Sequence, residues 1–473
     1  MLSSDVLSFV DHAWETSILP EIERYIRIPA KSPHFDPDWK KNGHIDEAVG
    51  LIERWCRAQE IPGLKTEVVR LEGRTPLLFM EIPGAPSSNG VDDTVMLYGH
   101  FDKQPEMSGW AEGLTPWTPV RKDDKLFGRG GADDGYSAFA SLLAVRAAKK
   151  HGGKHARIVI LIEGCEESGS YDLPHYVEHL KARIGTPSLV VCLDSGAGNY
   201  EQLWMTSSLR GLVGGVLRVS VLTEGVHSGD ASGIVPSSFR IARSLLDRIE
   251  DKETGRILPP AFHATIPDQR RHQAAASGRV LGETMFKRFP YAGSTRAMDE
   301  DLGELVLNRT WRPYLSVTGA EGLPAIQNAG NVLRPMTALK LSLRIPPGVE
   351  PKHASAELKR ILEKDPPYGA VVRFEAEEPA AGWSAPDVAP WLESSLEKAS
   401  QAFFGKEACY MGEGGTIPFM AMLGARFPKA QFMITGVLGP NSNAHGPNEF
   451  LHIPMAKRLT ACVAQVLDDH ARR

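Results

Sequence analysis

The sequence predicts an α/β fold with a mixed sheet, into which a separate two-layer α+β domain is inserted. Short apolar runs alternate with helical segments over residues 94–208 and again after residue 380. A hairpin pattern at 67–84 precedes them, so antiparallel strands join the sheet. Near residue 209 the pattern changes to half-exposed strands. We therefore expect the first domain to consist of residues 1–208 and 381–473, and the inserted domain to consist of residues 209–380.

Composition limits the functions that the chain can have. The 473 residues are 42% hydrophobic and 23% charged, which is ordinary for a soluble enzyme. The net charge of −5 makes nucleic acid and anionic membranes poor partners. No stretch has membrane-spanning length, and the first 28 residues do not resemble a signal peptide. Five scattered cysteines indicate buried, reduced thiols and a cytoplasmic protein.

The elements of the first domain follow from periodicity. Apolar residues at helical spacing predict helices at 4–28 and 43–60. The glycine at 152 ends a strong helix that begins at Ser137. Apolar runs predict strands at 94–98, 156–164 and 188–194.

The inserted domain is predicted as strand–helix–strand–helix–strand, at 211–225, 237–251, 338–348, 351–364 and 370–378. Between them, residues 252–311 are polar and show few clear elements. The α/β pattern then returns with a helix, a strand and a last helix, at 387–404, 431–437 and 453–471.

Polar side chains suited to metal binding follow several of the predicted strands. They are His100, Asp133, Glu166, Glu167, Asp194 and His445. Ligands of α/β sheets bind beyond the carboxyl ends of the strands, so we expect these side chains to meet there. Imidazoles and carboxylates suit zinc or manganese. Asp102 follows His100 closely and suits the acceptor that fixes an imidazole tautomer.

Charge favours two ions over one. Asp133, Glu167 and Asp194 supply three negative charges, and a bridging hydroxide adds a fourth, which matches two dications. One further carboxylate is left to act as a base. Nucleophilic alternatives are weaker, because G-x-S-x-G is absent and GRGGADDG lacks the lysine and hydroxyl ending of a phosphate loop.

Eight motifs between residues 98 and 449 resemble those of the aminoacylase/carnosinase family of two-metal peptidases, metallopeptidase family twenty. They are YGHFDKQP, GRGGADDG, EGCEESGS, LDSG, HSGDASG, the arginine of LRIPP, EGGTIP and NAHGPNE. The chain is most similar to the branch of cytosolic nonspecific dipeptidases and carnosinases. The resemblance implies a mixed-sheet zinc-peptidase catalytic domain with an inserted lid and dimerisation domain.

The resemblance also assigns roles at the metal centre. His100 and Asp194 would hold one ion, Glu167 and His445 the other, and Asp133 would bridge both. Asp102 would orient His100. Glu166 would act as general base and then general acid while a hydroxide shared by both metals attacks the peptide carbonyl. The peptide bond after Asp133 would be cis.

Further implied residues lie in or near the inserted domain. His227 would contact the substrate carbonyl oxygen in the neighbouring subunit's active site, which implies a homodimer. Arg344 would bind the terminal carboxylate of a small peptide substrate, helped by the loop residues Gly414, Gly415 and Thr416. One departure stands out. Most relatives have Asp-Asp-Lys-Gly where this chain has Asp-Asp-Gly-Tyr at 133–136, so the lysine is missing.

The function that these features favour is metal-dependent hydrolysis of dipeptides with free amino and carboxyl termini. The nearest alternative is an N-acyl-amino-acid deacylase or desuccinylase on the same scaffold. Asp194 favours the dipeptidase, because relatives with glutamate there tend to be acylases or carboxypeptidases. A non-catalytic family member would be expected to lose ligands or the base. An unrelated binuclear phosphoesterase is disfavoured by Glu166-Glu167 and Arg344.

Overall fold

The computed structural model describes residues 2, 5–85, 93–415 and 418–473. They form two compact units. The first comprises Met1–Ser207, Ala385–Met411 and Met422–Arg473, and the second comprises Ser208–Ser384 and Gly412–Ala421. The second unit thus includes a short segment that lies outside the range 209–380.

The α-helices are α1 (Asp5–Ala13), α2 (Leu19–Ile26), α3 (Trp39–Asn42), α4 (His44–Arg57), α5 (Ser137–Lys150), α6 (Leu173–His179), α7 (Lys181–Ile184), α8 (Ser228–Ala231), α9 (Ser238–Leu246), α10 (Asp268–Leu281), α11 (Thr284–Lys287), α12 (Leu302–Thr310), α13 (Pro351–Glu363), α14 (Pro390–Phe404), α15 (Pro418–Arg426) and α16 (Ile453–Arg472). A π-helical stretch, Trp14–Ile18, joins α1 to α2. No described helix has both the length and the apolar character needed to span a membrane.

The strands are β1 (Lys65–Val69), β2 (Leu77–Ile82), β3 (Thr94–His100), β4 (Val120–Lys122), β5 (Lys125–Phe127), β6 (Arg157–Glu163), β7 (Leu189–Cys192), β8 (Trp204–Leu209), β9 (Gly211–Ser220), β10 (Val226–His227), β11 (Tyr314–Glu321), β12 (Val332–Leu333), β13 (Met336–Ile345), β14 (Val371–Ala376), β15 (Trp383–Ser384), β16 (Cys409–Glu413), β17 (Gln431–Ile434) and β18 (Phe450–His452).

The main sheet of the first unit has the order β1-β2-β6-β3-β7-β17. β3 runs parallel to β6 and β7, and β17 runs parallel to β7. β1 and β2 form an antiparallel hairpin, and β2 is antiparallel to β6. The predicted mixed sheet is therefore confirmed. The carboxyl ends of the four parallel strands meet at one edge, where ligands of α/β sheets bind.

Helix α5 is buried almost all round. Its alanine-rich sequence SAFASLLAVRAAKK is a strong helix former. It packs against β3, β6, α4 and α16. Gly99 in β3 permits a close approach to its start, since a Cβ atom there would lie 2.1 Å from Ser137 Oγ and 2.6 Å from Asp134 Oδ2. The residues that precede α5 are thereby held against the end of β3.

The second unit contains a four-stranded antiparallel sheet in the order β11-β13-β9-β14. Helices α9 and α13 cover one face. Their apolar residues form a core with alternate sheet residues, which include Val213, Leu217, Leu341, Leu343 and Ile345. This is the predicted two-layer α+β arrangement, with β11 as an additional edge strand.

The expectation of few elements in 252–311 is wrong, because α10 and α12 lie there. Hydrophobic periodicity missed α10 because several of its buried residues are small or polar, including Arg270, Ala274 and Ser277. At Gly278 a Cβ atom would lie 2.8 Å from the backbone of Leu302 in α12, so the two helices pack through small residues. Residues of this region and of β11 line a cavity of about 570 Å³.

Candidate metal centre

Five of the predicted ligands form two overlapping groups at the edge of the main sheet. One group is His100, Asp133 and Asp194, and the other is Asp133, Glu167 and His445. Within each group the potential ligand atoms lie within 4.8 Å of one another. Asp133 is common to both groups and touches both imidazoles. Its Oδ1 lies 3.3 Å from His100 Nε2, and its Oδ2 lies 3.1 Å from His445 Nε2.

The sheet topology brings these residues together. His100 ends β3, Asp194 follows β7 by two residues, and Glu166 and Glu167 lie in the turn after β6. Asp133 precedes α5, and the peptide bond between Asp133 and Asp134 is cis, as the resemblance implies. His445 lies in the loop after β17 with a left-handed φ of 65° and an exposed side chain.

Asp102 organises the side chains around it. Its buried carboxylate accepts hydrogen bonds from the backbone N–H groups of Glu166 and Glu167, both at 3.0 Å. His100 Nδ1 lies 3.1 Å from the Asp102 carbonyl oxygen, which can only accept, so Nδ1 carries the proton. In the neutral imidazole, Nε2 then presents its lone pair to the cluster, as a metal ligand requires.

The surroundings of His100 Nε2 fit a divalent cation. Within the described part of the chain this buried atom makes no hydrogen bond, although Asp133 Oδ1 and Asp194 Oδ2 lie 3.3 and 3.6 Å away. Glu167 Oε1 is also buried without a partner among these residues. A lone pair that faces carboxylate oxygens is repelled by them, and a cation bound between these atoms would remove the repulsion. Imidazole and carboxylate donors suit zinc and manganese.

Besides burial, the clustered carboxylates raise one another's pKa and so favour proton uptake. Burial and the charge of Asp194 raise the pKa of Glu166 well above its ordinary value, and burial and Asp133 do the same to the pKa of Glu167. Burial raises the pKa of Asp194 to about 6. Despite burial, the two imidazoles hold the pKa of Asp133 below its usual range, and Asp133 in turn raises the pKa of His445. The carboxylates cannot all ionise unless cations balance them.

Sequence reasoning missed two supports of the site. Gln104 Nε2 donates to Glu167 Oε2 at 2.5 Å. Arg129 and Glu449 form a buried ion pair at 2.5 Å, and Arg129 Nη2 also donates to the carbonyl oxygen of Gly446 at 2.7 Å. This pair ties the segment before Asp133 to the loop of His445. All three residues lie in motifs that also contain a predicted ligand: Gln104 in YGHFDKQP, Arg129 in GRGGADDG and Glu449 in NAHGPNE. A charged or amide side chain in such a motif was the available sign of a supporting role.

The departure from Asp-Asp-Lys-Gly has a steric reason in this chain. At Gly135 a Cβ atom would lie 2.1 Å from the Tyr25 ring, so no larger residue fits there. Lys103 packs on the Tyr25 ring, with its Nζ 3.8 Å from the ring centroid, and donates to the Tyr25 carbonyl oxygen at 2.7 Å. The next residue, Tyr136, donates from its hydroxyl to the Leu193 carbonyl oxygen at 2.5 Å, which braces the backbone beside Asp194.

The other predicted residues that the structure describes lie in the second unit. His227 is exposed on β10, which pairs with β12, and its Nδ1 accepts the N–H of Gly229 at 3.1 Å. Arg344 lies on β13, away from that ribbon. Gly414 lies against Arg210 and Arg309, and Gly415 is exposed. Thr416 lies outside the described residues.

Comparisons with known proteins agree on one family. The sequence profile of peptidase family M20/M25/M40 matches residues 96–469. A cysteinylglycine-S-conjugate dipeptidase of Corynebacterium striatum is 24% identical over 387 residues, which cover 80% of this chain and 82% of that protein. A Beta-Ala-His dipeptidase of Homo sapiens is 25% identical over 361 residues, which cover 73% and 68%. The solved structure of the di-peptidase Dug1p from Saccharomyces cerevisiae covers 100% of both chains with a TM-score of 0.72 at 20% identity, which shows the fold.

The protonation of the clustered side chains predicts that zinc binding depends on pH. We expect zinc affinity to fall as the pH is lowered to about 6 and below, because ligands must lose their protons before they bind metal. Partial desolvation lowers the pKa of His445, but the hydrogen bond and charge of Asp133 outweigh it and raise that pKa. Burial raises the pKa of Asp194 to about 6. Both groups therefore take up protons as the pH falls. Calorimetric zinc titrations in two buffers of different ionisation enthalpy measure the protons released.

The matched variant is Asp194→Asn, which cannot take up that proton and should release fewer. Heats that do not depend on the buffer, together with an affinity that does not depend on pH, would contradict this account of the cluster.

Proposed function

Since the chain belongs to peptidase family M20/M25/M40, as its motifs predict, we propose that it hydrolyses the peptide bond of dipeptides with free amino and carboxyl termini. The observation that carries the proposal is the pair of ligand groups that share Asp133, with Glu166 beside them. The names of the relatives from Corynebacterium striatum and Homo sapiens, both dipeptidases, support the substrate class.

Two divalent ions are the proposed cofactors. His100 and Asp194 would hold one ion, Glu167 and His445 the other, and Asp133 both, in keeping with the two groups. Zinc suits this set of imidazole and carboxylate donors best, and manganese is the alternative. When bound, the two ions supply Lewis acidity that polarises the scissile carbonyl and acidifies water.

Glu166 is proposed as the group that moves the proton. It belongs to neither ligand group, yet its Oε2 lies 4.0 Å from His100 Nε2, so the carboxylate faces the cluster. The bond from its backbone N–H to Asp102 fixes its main chain. A base must lie within reach of the water that it deprotonates, and the same carboxyl can then protonate the leaving amine.

The second unit is proposed as the lid and dimerisation domain. Its His227 would donate to the carbonyl oxygen of a substrate bound by the partner subunit. The ring geometry supports this role, because Nδ1 accepts the Gly229 N–H and the neutral ring therefore carries its proton on Nε2. That leaves Nε2–H as a donor on an exposed side chain.

Arg344 is proposed to bind the substrate's terminal carboxylate, with Gly414, Gly415 and Thr416 assisting. A guanidinium presents a planar fork of donors that matches a carboxylate through two parallel bonds. Arg344 lies on the sheet face opposite the helices, because its neighbours Leu343 and Ile345 belong to the core. A cytoplasmic location is also proposed, and it is supported by five buried cysteines without disulfides.

The proposed proton-transfer role of Glu166 can be tested by substitution. Glu166→Gln should keep both metals and lose about 10²–10⁴-fold in kcat, the usual size of a proton-transfer contribution. Glu167→Gln is the matched control, since it removes a proposed ligand and should bind less metal. Turnover and metal content by mass spectrometry are measured on the same samples. Full activity of Glu166→Gln would remove it as the base, and loss of metal would make it a ligand.

The proposed recognition of the substrate's terminal carboxylate predicts a substrate preference. Free dipeptides should be cleaved well, and their C-terminal amides and longer peptides poorly, because each would leave the Arg344 guanidinium without its ion pair. Arg344→Ala should reduce this preference and keep both metals. Lys340→Ala is the control, because Lys340 is another cation on the same strand and forms an ion pair with Glu377.

Equal cleavage of a dipeptide and its amide by the unmodified enzyme would contradict the role of Arg344. N-acetyl and N-succinyl amino acids belong in the same assay, because preferential cleavage of these would favour the deacylase instead.

The proposed dimer, with an active site shared between subunits, predicts complementation between two inactive variants. His227→Ala and Glu166→Gln should each be inactive, but a mixed dimer would combine an intact Glu166 with an intact partner His227. Random co-refolding should therefore restore about a quarter of the activity, because half of the dimers are mixed and each has one complete site. No recovery in mixed dimers that sedimentation has verified would contradict a shared active site.

A further inference from the structure

Arg210, which lies between β8 and β9 in the second unit, holds two other segments in place. Its backbone N–H donates to the Glu413 carbonyl oxygen, and its Nε to that of Gly414, both at 3.3 Å. Its Nη1 donates to the carbonyl oxygens of Asn308 and Arg312 at 3.5 and 3.4 Å. These carbonyls surround the C-terminal end of α12, whose partial negative charge favours a cation. The Arg210 side chain thus links the loop that contains Gly414 and Gly415 to the end of α12.

Strand register relates Arg210 to Arg344. In the antiparallel pair of β9 and β13, Leu212 lies directly opposite Arg344, so their side chains share a sheet face. Arg210 precedes Leu212 by two residues, which is the spacing of one face along an extended chain. The opposite face carries Val213 and Leu343 into the core. Arg210 and Arg344 therefore extend from the face that the helices leave open.

Two positive groups, Arg344 and Arg309, lie close enough to Arg210 to affect its charge. Burial, and then the nearby charges of Arg344 and Arg309, lower the pKa of Arg210 to about 10. Arg309, which also forms an ion pair with Glu413 at 2.7 Å, is the second of these positive groups. Two guanidinium groups that repel each other in a half-buried place favour an anion between or beside them.

We propose that Arg210 is a positioning residue for the group that selects a C-terminal carboxylate, which comprises Arg344, Gly414 and Gly415. The inference rests on the proposed function, because it takes that carboxylate as the ligand. Arg210 holds the Gly414 carbonyl group beside the sheet face from which Arg344 extends, and it adds positive charge there. Loss of this geometry should weaken the binding of free carboxylates and leave the binding of neutral amides unchanged.

The test uses Arg210→Lys, which keeps the charge and removes the planar fork. We expect kcat/KM for a free dipeptide to fall about 10–100-fold, as for a displaced binding group, chiefly through KM. The value for the dipeptide amide and the metal content should hardly change. Arg218→Lys is the matched control, since Arg218 lies on β9 and is bonded to Glu321. Equal losses for both substrates, or no loss for either, would overturn the inference.

Binding without turnover separates this inference from the proposed function. Calorimetry compares the binding of leucine and leucinamide to the metal-loaded protein. If the unmodified protein prefers leucine and Arg210→Lys does not, Arg210 has this role whether or not dipeptides are hydrolysed. If dipeptides are hydrolysed and the variant keeps the preference, the function stands and the inference falls. Arg210→Gln, which retains side-chain donors, serves if the lysine variant does not fold, and it should show the same loss.

Discussion

The buried carboxylate of Asp102 is the constraint on which the rest of the centre depends. It joins the end of β3 to the turn after β6 by accepting the N–H groups of Glu166 and Glu167. Because these hydrogen bonds hold the backbone of Glu166 and Glu167, the two side chains are directed toward His100 and Asp133. The carboxylates gathered there would repel one another, and burial alone makes ionisation costly. Divalent cations therefore complete a structure that the protein chain has already arranged.

The location of this centre could be predicted because it follows from chain order. Parallel strands place their carboxyl ends on one sheet edge, so apolar runs that end at His100 or shortly before Asp194 locate both residues in space. Asp133 follows from the strong helix that begins at Ser137. For His445 and Glu167 the strand pattern gave a position, and the family motifs gave the expected role.

The supports of the centre could not be predicted, because they depend on contacts between distant segments. Arg129 and Glu449 are 320 residues apart, and neither lies in a periodic pattern that pairs them. The exclusion of side chains at position 135 follows from the Tyr25 ring, which comes from α2. Helix α10 was missed for another reason. Its packing on α12 uses alanine, serine and glycine, so the hydrophobic signal is weak where the helices are in closest contact.

The most direct test of the account is anomalous X-ray diffraction from zinc-loaded crystals, recorded above and below the zinc absorption edge. Two peaks are expected in each chain, about 3.5–4 Å apart as in other two-metal sites. The carboxylate of Asp133 should lie between them, with His100 and Asp194 at one peak and Glu167 and His445 at the other. A single peak, or two peaks that do not share Asp133, would contradict it.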